Sequence, residues 1–400
     1  MRVSLLLLCL GSVGVSMATE RPEAYRRKVS LEYNPGWNSS EANLLHIRAV
    51  GQNDTLHFVW STIGAPTMVL VYTGSETSSL HVNWTKLLSN SPFGAIRVEP
   101  EESVLYSTAV VFAKVYEYNG TNTSDLSKAL AGDFYPAYDL ANFTWDSLDG
   151  KWNQSDLTAT FRGVCADHGG TGWNGSIAFQ VTAFEGSDRD APLPRLLHSA
   201  NSSKVAFVMH GVAPRGKQSR FALEIFALEE GSGRKELQSV RSIDDEYTPT
   251  IFEMAQLVSR PRNDSVGSSF VQWKTAAYAS PDAQRTDTIH CQYYPLRTAN
   301  LSLPGRSLAY AFFGPEAHYA VAGLNVSFGG EDSEAYQEKR YLSWSALIGY
   351  GEPPEDMFST LVMVILAVAL GTPVLLLVAG GITVCVAAQK RRYSEYDPIN

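Results

Sequence analysis

The 400-residue chain is 44% hydrophobic and 18% charged, the balance of a folded globular protein and not of a disordered one. Its formal charge of −9 comes without a concentrated basic stretch, and Arg26-Arg27-Lys28 is too small a cluster to neutralise a phosphate backbone, so nucleic acid is set aside as a partner.

At the N-terminus, Arg2 precedes the apolar run Leu5-Leu6-Leu7-Leu8-Cys9-Leu10, and small side chains follow at Ser16 and Ala18. This layout predicts a secretory signal peptide over residues 1–18, cut after Ala18, because the run is too short to cross roughly 30 Å of hydrocarbon. Thr19 to Met357 then remain on the secretory side, enough for one large or two medium domains.

The texture of that region is strand and turn. Segments opening at Asn43, Thr55, Thr67, Ser79, Ala95 and Val104 are rich in β-branched and aromatic residues and are separated by Gly, Asn, Asp or Pro. Leu80, Val82 and Trp84 alternate as one strand face, with His81 and Asn83 on the other. The pattern resumes at Leu157, passes the glycine turn Gly169-Gly170-Thr171-Gly172, read as a hairpin connection, and continues at Ser176. EGSDRDAPLP, from Glu185, replaces apolar periodicity with charge and proline and marks the candidate boundary. Further strand-like segments begin at Lys204, Phe221, Ser269, Ser307 and His318. The expected fold is therefore mostly β: two β-rich sandwich or jelly-roll-like domains, over residues 19–187 and 188–357, with strand order left open. Short helices are expected within Glu331 to Tyr350 and over Phe252 to Leu257.

Asparagine usage is the sharpest compositional signal. N-x-S/T acceptors without an intervening proline stand at Asn38, Asn53, Asn83, Asn119, Asn122, Asn142, Asn153, Asn174, Asn201, Asn263, Asn300 and Asn325. Their glycans would mark surface turns or outward strand positions and shield loops and strand edges from attack. Cysteine use is sparse: once the presequence is removed, only Cys165 and Cys291 lie in the oxidising compartment, where one long-range disulfide between them is expected.

From Leu361 to Ala388 no side chain is charged, which predicts a membrane-spanning helix within residues 358–388. Pro373, in Gly371-Thr372-Pro373, removes a backbone donor near its middle, and the Thr372 hydroxyl is placed to repair the loss. Glu352, Glu355 and Asp356 precede the span, whereas Lys390, Arg391 and Arg392 follow it, so the N-terminal portion is luminal and the topology type I. The tail, residues 389–400, holds Tyr396-Asp397-Pro398-Ile399. Tyr396 and Ile399 have the spacing of an adaptor-read sorting signal, whose two side chains fill pockets while the peptide stays extended. Pro398 keeps Asp397 out of the helical region.

Marks of catalysis are missing: the sequence holds neither a G-x-S-x-G elbow nor an H-E-x-x-H helix, and the glycine turn lacks the ending of a phosphate loop. His46, His57, His81, His168, His198, His210, His290 and His318 show no short metal-ligand spacing and are expected to be surface or hydrogen-bonded residues. The acidic patch SIDDEYTP, from Ser242, reads as a loop and not as a carboxylate pair held across a cleft.

Several segments together resemble the glycosylated lysosomal membrane protein family: NLLHIRAVG from Asn43, LHFVWSTIG from Leu56, LHVNW from Leu80, DLANFTW from Asp139, SIDDEYTP from Ser242, YLSWS from Tyr341 and YSEYDPIN from Tyr393. The resemblance implies a type I lysosomal membrane protein, without cofactor or metal, that binds a polytopic major-facilitator-type lysosomal transporter, stabilises it and shields it from luminal proteolysis. It also implies a cytosolic sorting adaptor acting through Tyr396 and Ile399. Mammalian members carry more luminal cysteines than this chain, so no disulfide pairing transfers from them. The competing classes are a membrane-tethered luminal hydrolase and a ligand or cargo receptor, since sandwich surfaces bind many things.

Overall fold

The computed structural model describes residues 25–120, 125–165, 175–230, 233–244, 250–261, 267–298, 307–315, 319–329, 334–355 and 360–394. The described residues of Met1–Val240 and Met254–Pro354 form one compact unit, and those of Arg241–Glu253 and Glu355–Asn400 a second.

The first unit is built from two antiparallel runs of strands. One run passes through Lys28–Tyr33, Leu44–Val50, Thr55–Ser61, Thr67–Thr73, Val104–Asn119, Ser219–Glu230, Tyr319–Phe328 and Thr288–Tyr293, each paired with the next. The other passes through Trp152–Asn153, Thr158–Cys165, Ser176–Ala183, Ser202–His210, Tyr341–Tyr350, Ser269–Lys274 and, from Met254 on, Thr250–Arg260. The short Ala276–Tyr278 strand links them, pairing with Thr288–Tyr293 and, through Tyr278, with Ser343.

Alternation explains why these segments are strands and where the core lies. Leu45, Ile47 and Ala49 point to one face, as do Ile177, Phe179 and Val181 on the other run, and all six belong to one buried cluster. Rings from the two runs meet inside it, Phe112 against Phe179 at 4.8 Å between centroids and Phe207 against Phe328 at 5.9 Å. Such contacts between large apolar side chains supply most of the driving force for folding. Ladders also cross the expected boundary at residues 187 and 188: Ser176–Ala183 pairs with Ser202–His210, and Val104–Asn119 with Ser219–Glu230.

The opposite face of the first run is covered as well. Leu44, Val59, Val69, Val111 and Leu228 pack against Trp84, Ile96 and Val98 and against Leu308 and Ala311, forming a second apolar cluster. Leu80 and Val82 join it while His81 and Asn83 stay exposed, as the alternation predicts. Trp84, however, begins a helical turn, Trp84–Leu87, because the Asn83 side chain accepts a hydrogen bond from the Lys86 amide.

Two local expectations are overturned and a third is met in part. The segment from Ser307 is a helix, Leu308–Phe313, capped by the Ser307 hydroxyl and ended by Gly314 at φ +78, where an added Cβ would lie 2.5 Å from the Phe93 ring. Phe252 to Leu257 lies inside the strand Thr250–Arg260 and not in a helix. Glu331 to Tyr350 divides into the short helix Glu334–Lys339 and the strand Tyr341–Tyr350, whose Leu342, Trp344, Ala346 and Ile348 face the core with period two. Lys28–Tyr33, Arg234–Asp244 and Thr288–Tyr293 are further strands beyond those the sequence pattern predicts.

Candidate functional site

In the second unit the helix Thr360–Ser394 dominates, and its stretch Val364–Arg391 is 28 residues long with none of the window buried. At 1.5 Å per residue that stretch is about 42 Å long, more than the hydrocarbon core requires. Pro373 sits inside the helix. The carbonyl its missing N–H strands is that of Ala369, yet the Thr372 hydroxyl donates to Val368 O at 2.6 Å, so the expected repair falls one residue away. Thr383 makes a similar bond to Gly380 O at 2.8 Å.

The first unit hands the chain toward this helix through a pinned exit. Beyond the strand Tyr341–Tyr350, the Gly351 amide donates to Ser268 O at 2.7 Å, Ser268 Oγ to Gly351 O at 2.9 Å, and Gln272 Nε2 to Pro354 O at 3.0 Å. Arg260 grips Glu352 with both terminal nitrogens, at 2.6 and 3.2 Å, and this holds the Glu352 carboxyl below the usual glutamate range. Beside the exit, buried Arg27 forms a two-pronged pair with Asp54, at 2.8 and 2.7 Å, and its Nε donates to Asn201 Oδ1 at 2.8 Å. Tyr350 closes the cluster, its amide on Asn201 O at 3.0 Å and its ring stacked on Tyr72 at 4.0 Å.

The glycan acceptors divide by burial. Asn38, Asn53, Asn83, Asn142 and Asn153 are exposed, and Asn119 and Asn201 are half-buried. Asn325 is only 8% exposed, on a rung opposite Glu224, with its Oδ1 unbonded, and Ser327 of the same triplet is fully buried. Asn122, Asn174, Asn263 and Asn300 lie outside the described residues, as do Tyr396, Ile399, the Gly169–Gly172 turn and residues 245–249 of the acidic patch. The strands that the glycine turn would join, Thr158–Cys165 and Ser176–Ala183, do pair antiparallel.

The expected disulfide does not form: Cys165 and Cys291 are both thiols. Each lies in a ladder opposite an aromatic residue, Cys165 facing Phe143 and Cys291 facing Phe328, and neither faces the other. A disulfide needs two Cα atoms within about 7 Å and converging Cβ vectors, a condition that residue counting cannot supply. Complete burial pushes the Cys291 thiol well above its ordinary pKa, leaving it unreactive.

Two of the histidines, expected as surface or hydrogen-bonded residues, form a buried hydrogen-bonded chain. His46 Nε2 meets His57 Nδ1 at 2.9 Å, His57 Nε2 meets Ser78 Oγ at 2.9 Å, and Ser78 Oγ meets Thr73 Oγ1 at 2.7 Å. Two proton orders satisfy the chain: His46 donates to His57 and His57 to Ser78, or Ser78 donates to His57 and His57 to His46. Only protonation of both rings would set N–H against N–H at the His46–His57 contact. Burial, with Arg48 nearby, lowers His46 to about 3, and burial, His46 and Arg48 lower His57 to about 2. Among the described residues no three His, Cys, Asp or Glu side chains are grouped to hold a metal ion.

A large β-rich N-terminal region, one long apolar helix after an acidic flank, and a basic cluster closing that helix define a single-pass type I membrane protein with its N-terminal region in the lumen. The family model for glycosylated lysosomal membrane protein matches residues 43–391. The chain is 50% identical to glycosylated lysosomal membrane protein A of Xenopus laevis over 399 residues, covering 99% of this chain and 98% of that one. Identity to the Bos taurus and Homo sapiens proteins of the same description is 43% and 42% over 376 residues, covering 94% of this chain and 91% of each relative. The chain belongs to the glycosylated lysosomal membrane protein family, and its place is the lysosomal membrane.

Proposed function

We propose that this protein is a non-enzymatic accessory subunit that binds a polytopic, major-facilitator-type lysosomal transporter, stabilises it and protects it from luminal proteases. The observation that carries the reading is membership of the glycosylated lysosomal membrane protein family, together with a single apolar helix, Val364–Arg391, as the anchor. Helix association in lipid relies on close packing at small residues, and Gly380 and Gly381 leave space for a neighbouring backbone to approach. The glycan coat on the luminal unit would screen short loops of the partner as it screens its own.

Binding only the intact transporter would raise that state's population by mass action. Quantitative co-purification from lysosomal membranes, without overexpression, tests the assignment. A stoichiometric many-span transporter is expected. Recovery of the protein alone, or turnover of glycan, peptide or ester substrates by the purified luminal region at acidic pH, would reject it.

The tail supplies the address under the same proposal. Tyr396→Ala is expected to move protein to the cell surface, raising surface labelling severalfold. Unchanged surface labelling in cells lacking the transporter would show that Tyr396 and Ile399 are not the signal.

A further inference from the structure

A groove of about 450 Å³ opens beside the acceptor Asn153, and the next two residues of that triplet, Gln154 and Ser155, are part of its wall. Its volume lies within the range of small-ligand pockets, about 300–1,000 Å³. Leu157 and Phe184 give it apolar surface, while Arg26, Asp188 and His198 add polar groups. The wall is held in place from several elements. Gln154 Oε1 accepts the Leu31 amide at 2.8 Å, Arg26 pairs with Glu185 at 2.7 Å, and the His198 ring stacks on Phe184 at 3.6 Å. His198 Nδ1 is fixed on Gly186 O at 3.1 Å, which as donor leaves Nε2 an acceptor.

We propose that this groove is a carbohydrate subsite whose occupant is the inner part of the chain's own glycan at Asn153. Pyranose rings suit it because they offer C–H faces for an aromatic ring and hydroxyls for mixed donors and acceptors. An N-acetyl methyl group would rest on Leu157 and Phe184, and Arg26 and Asp188 would bond hydroxyls of opposite sense. The tether also favours this occupant over a free sugar: covalent attachment one residue from the wall gives a high effective concentration. The glycan would then act as packing, tying the turn at Asn153 to the segment from Glu185 to Asp188.

The inference rests on occupancy of Asn153, which the test reads first. Full-length protein from mammalian cells is treated in its native state with a peptide:N-glycosidase, and release is followed at each site by glycopeptide mass spectrometry. Release at Asn153 is expected to be roughly tenfold slower than at exposed Asn38 and Asn142, a local protection of the kind that burial confers. The exposed-residue variant Arg26→Ser/Asp188→Ser should accelerate Asn153 alone. Equal rates at the three sites in the unaltered protein would overturn the subsite, as would protection that survives in the double variant. A bare Asn153 among otherwise glycosylated acceptors would overturn the inference while leaving the glycan coat standing, whereas bare acceptors throughout would overturn the coat itself.

Discussion

Replacing Trp344 with alanine is expected to cost about 3–5 kcal/mol, a large part of the roughly 5–15 kcal/mol that holds a domain folded. Trp344 is 1% exposed and lies where the two strand runs meet, its ring 5.9 Å from Trp273 on its own run and 6.3 Å from Phe328 on the other. Deletion leaves a cavity lined by rings that cannot collapse onto one another, because their backbones are fixed in ladders. The variant should melt well below the parent in a thermal-shift assay and keep immature glycans from retention early in the secretory pathway. Trp344→Phe should cost much less: the ring volume is largely kept, and the Nε1 that is lost has no hydrogen-bond partner. Equal melting temperatures for the alanine variant and the parent would show that the two runs are held together elsewhere.

The second large effect concerns acid. His46 and His57 titrate near 6.5 when unfolded but near 3 and 2 in the fold, so below about pH 6.5 the unfolded state takes up protons that the native state refuses. Their contribution to stability is complete above that pH and is lost as pH falls toward the folded values. At about pH 5 the loss approaches 2 kcal/mol for each histidine. Glu224 and Glu229 work in the opposite direction: burial raises both, so the native state holds their protons more readily and gains stability as pH falls. A His46→Gln/His57→Gln variant should therefore show a melting temperature that falls less between about pH 7 and pH 5 than the parent's, whatever its absolute value. Identical slopes would mean that the histidine chain does not govern acid stability.

How much of this was legible depends on whether a signal was local. Alternation in segments such as Leu44–Val50 and Ser176–Ala183 exposes itself in sequence, because period two and β-branched residues are written along the chain. The anchor helix was legible for the same reason. The histidine chain was not: His46 and His57 occupy the face that points away from the main core, which in an isolated sheet would be wet. That face is buried only because the residues around Ile96 and the helix Leu308–Phe313 fold back over it. The helix itself resembles a strand in sequence, since six apolar residues have no decisive period and the Ser307 cap decides its conformation. Glu334–Lys339 and Tyr341–Tyr350 run together in sequence because one amphipathic pattern fits both. The disulfide failed for a different reason: two cysteines in an oxidising lumen satisfy a count, but strand order decides their distance, and strand order could not be read. Burial of Asn325 was hidden likewise, as an N-x-S triplet records nothing about the rung it will occupy.

The accessory role is tested most directly by the lifetime of the transporter that co-purifies with this protein, measured by pulse-chase in lysosomes with and without it. Loss of the protein should shorten that lifetime at constant transcript level, and inhibition of luminal proteases should restore it. A lifetime that does not change, or one that shortens without rescue by protease inhibition, would contradict a protective subunit.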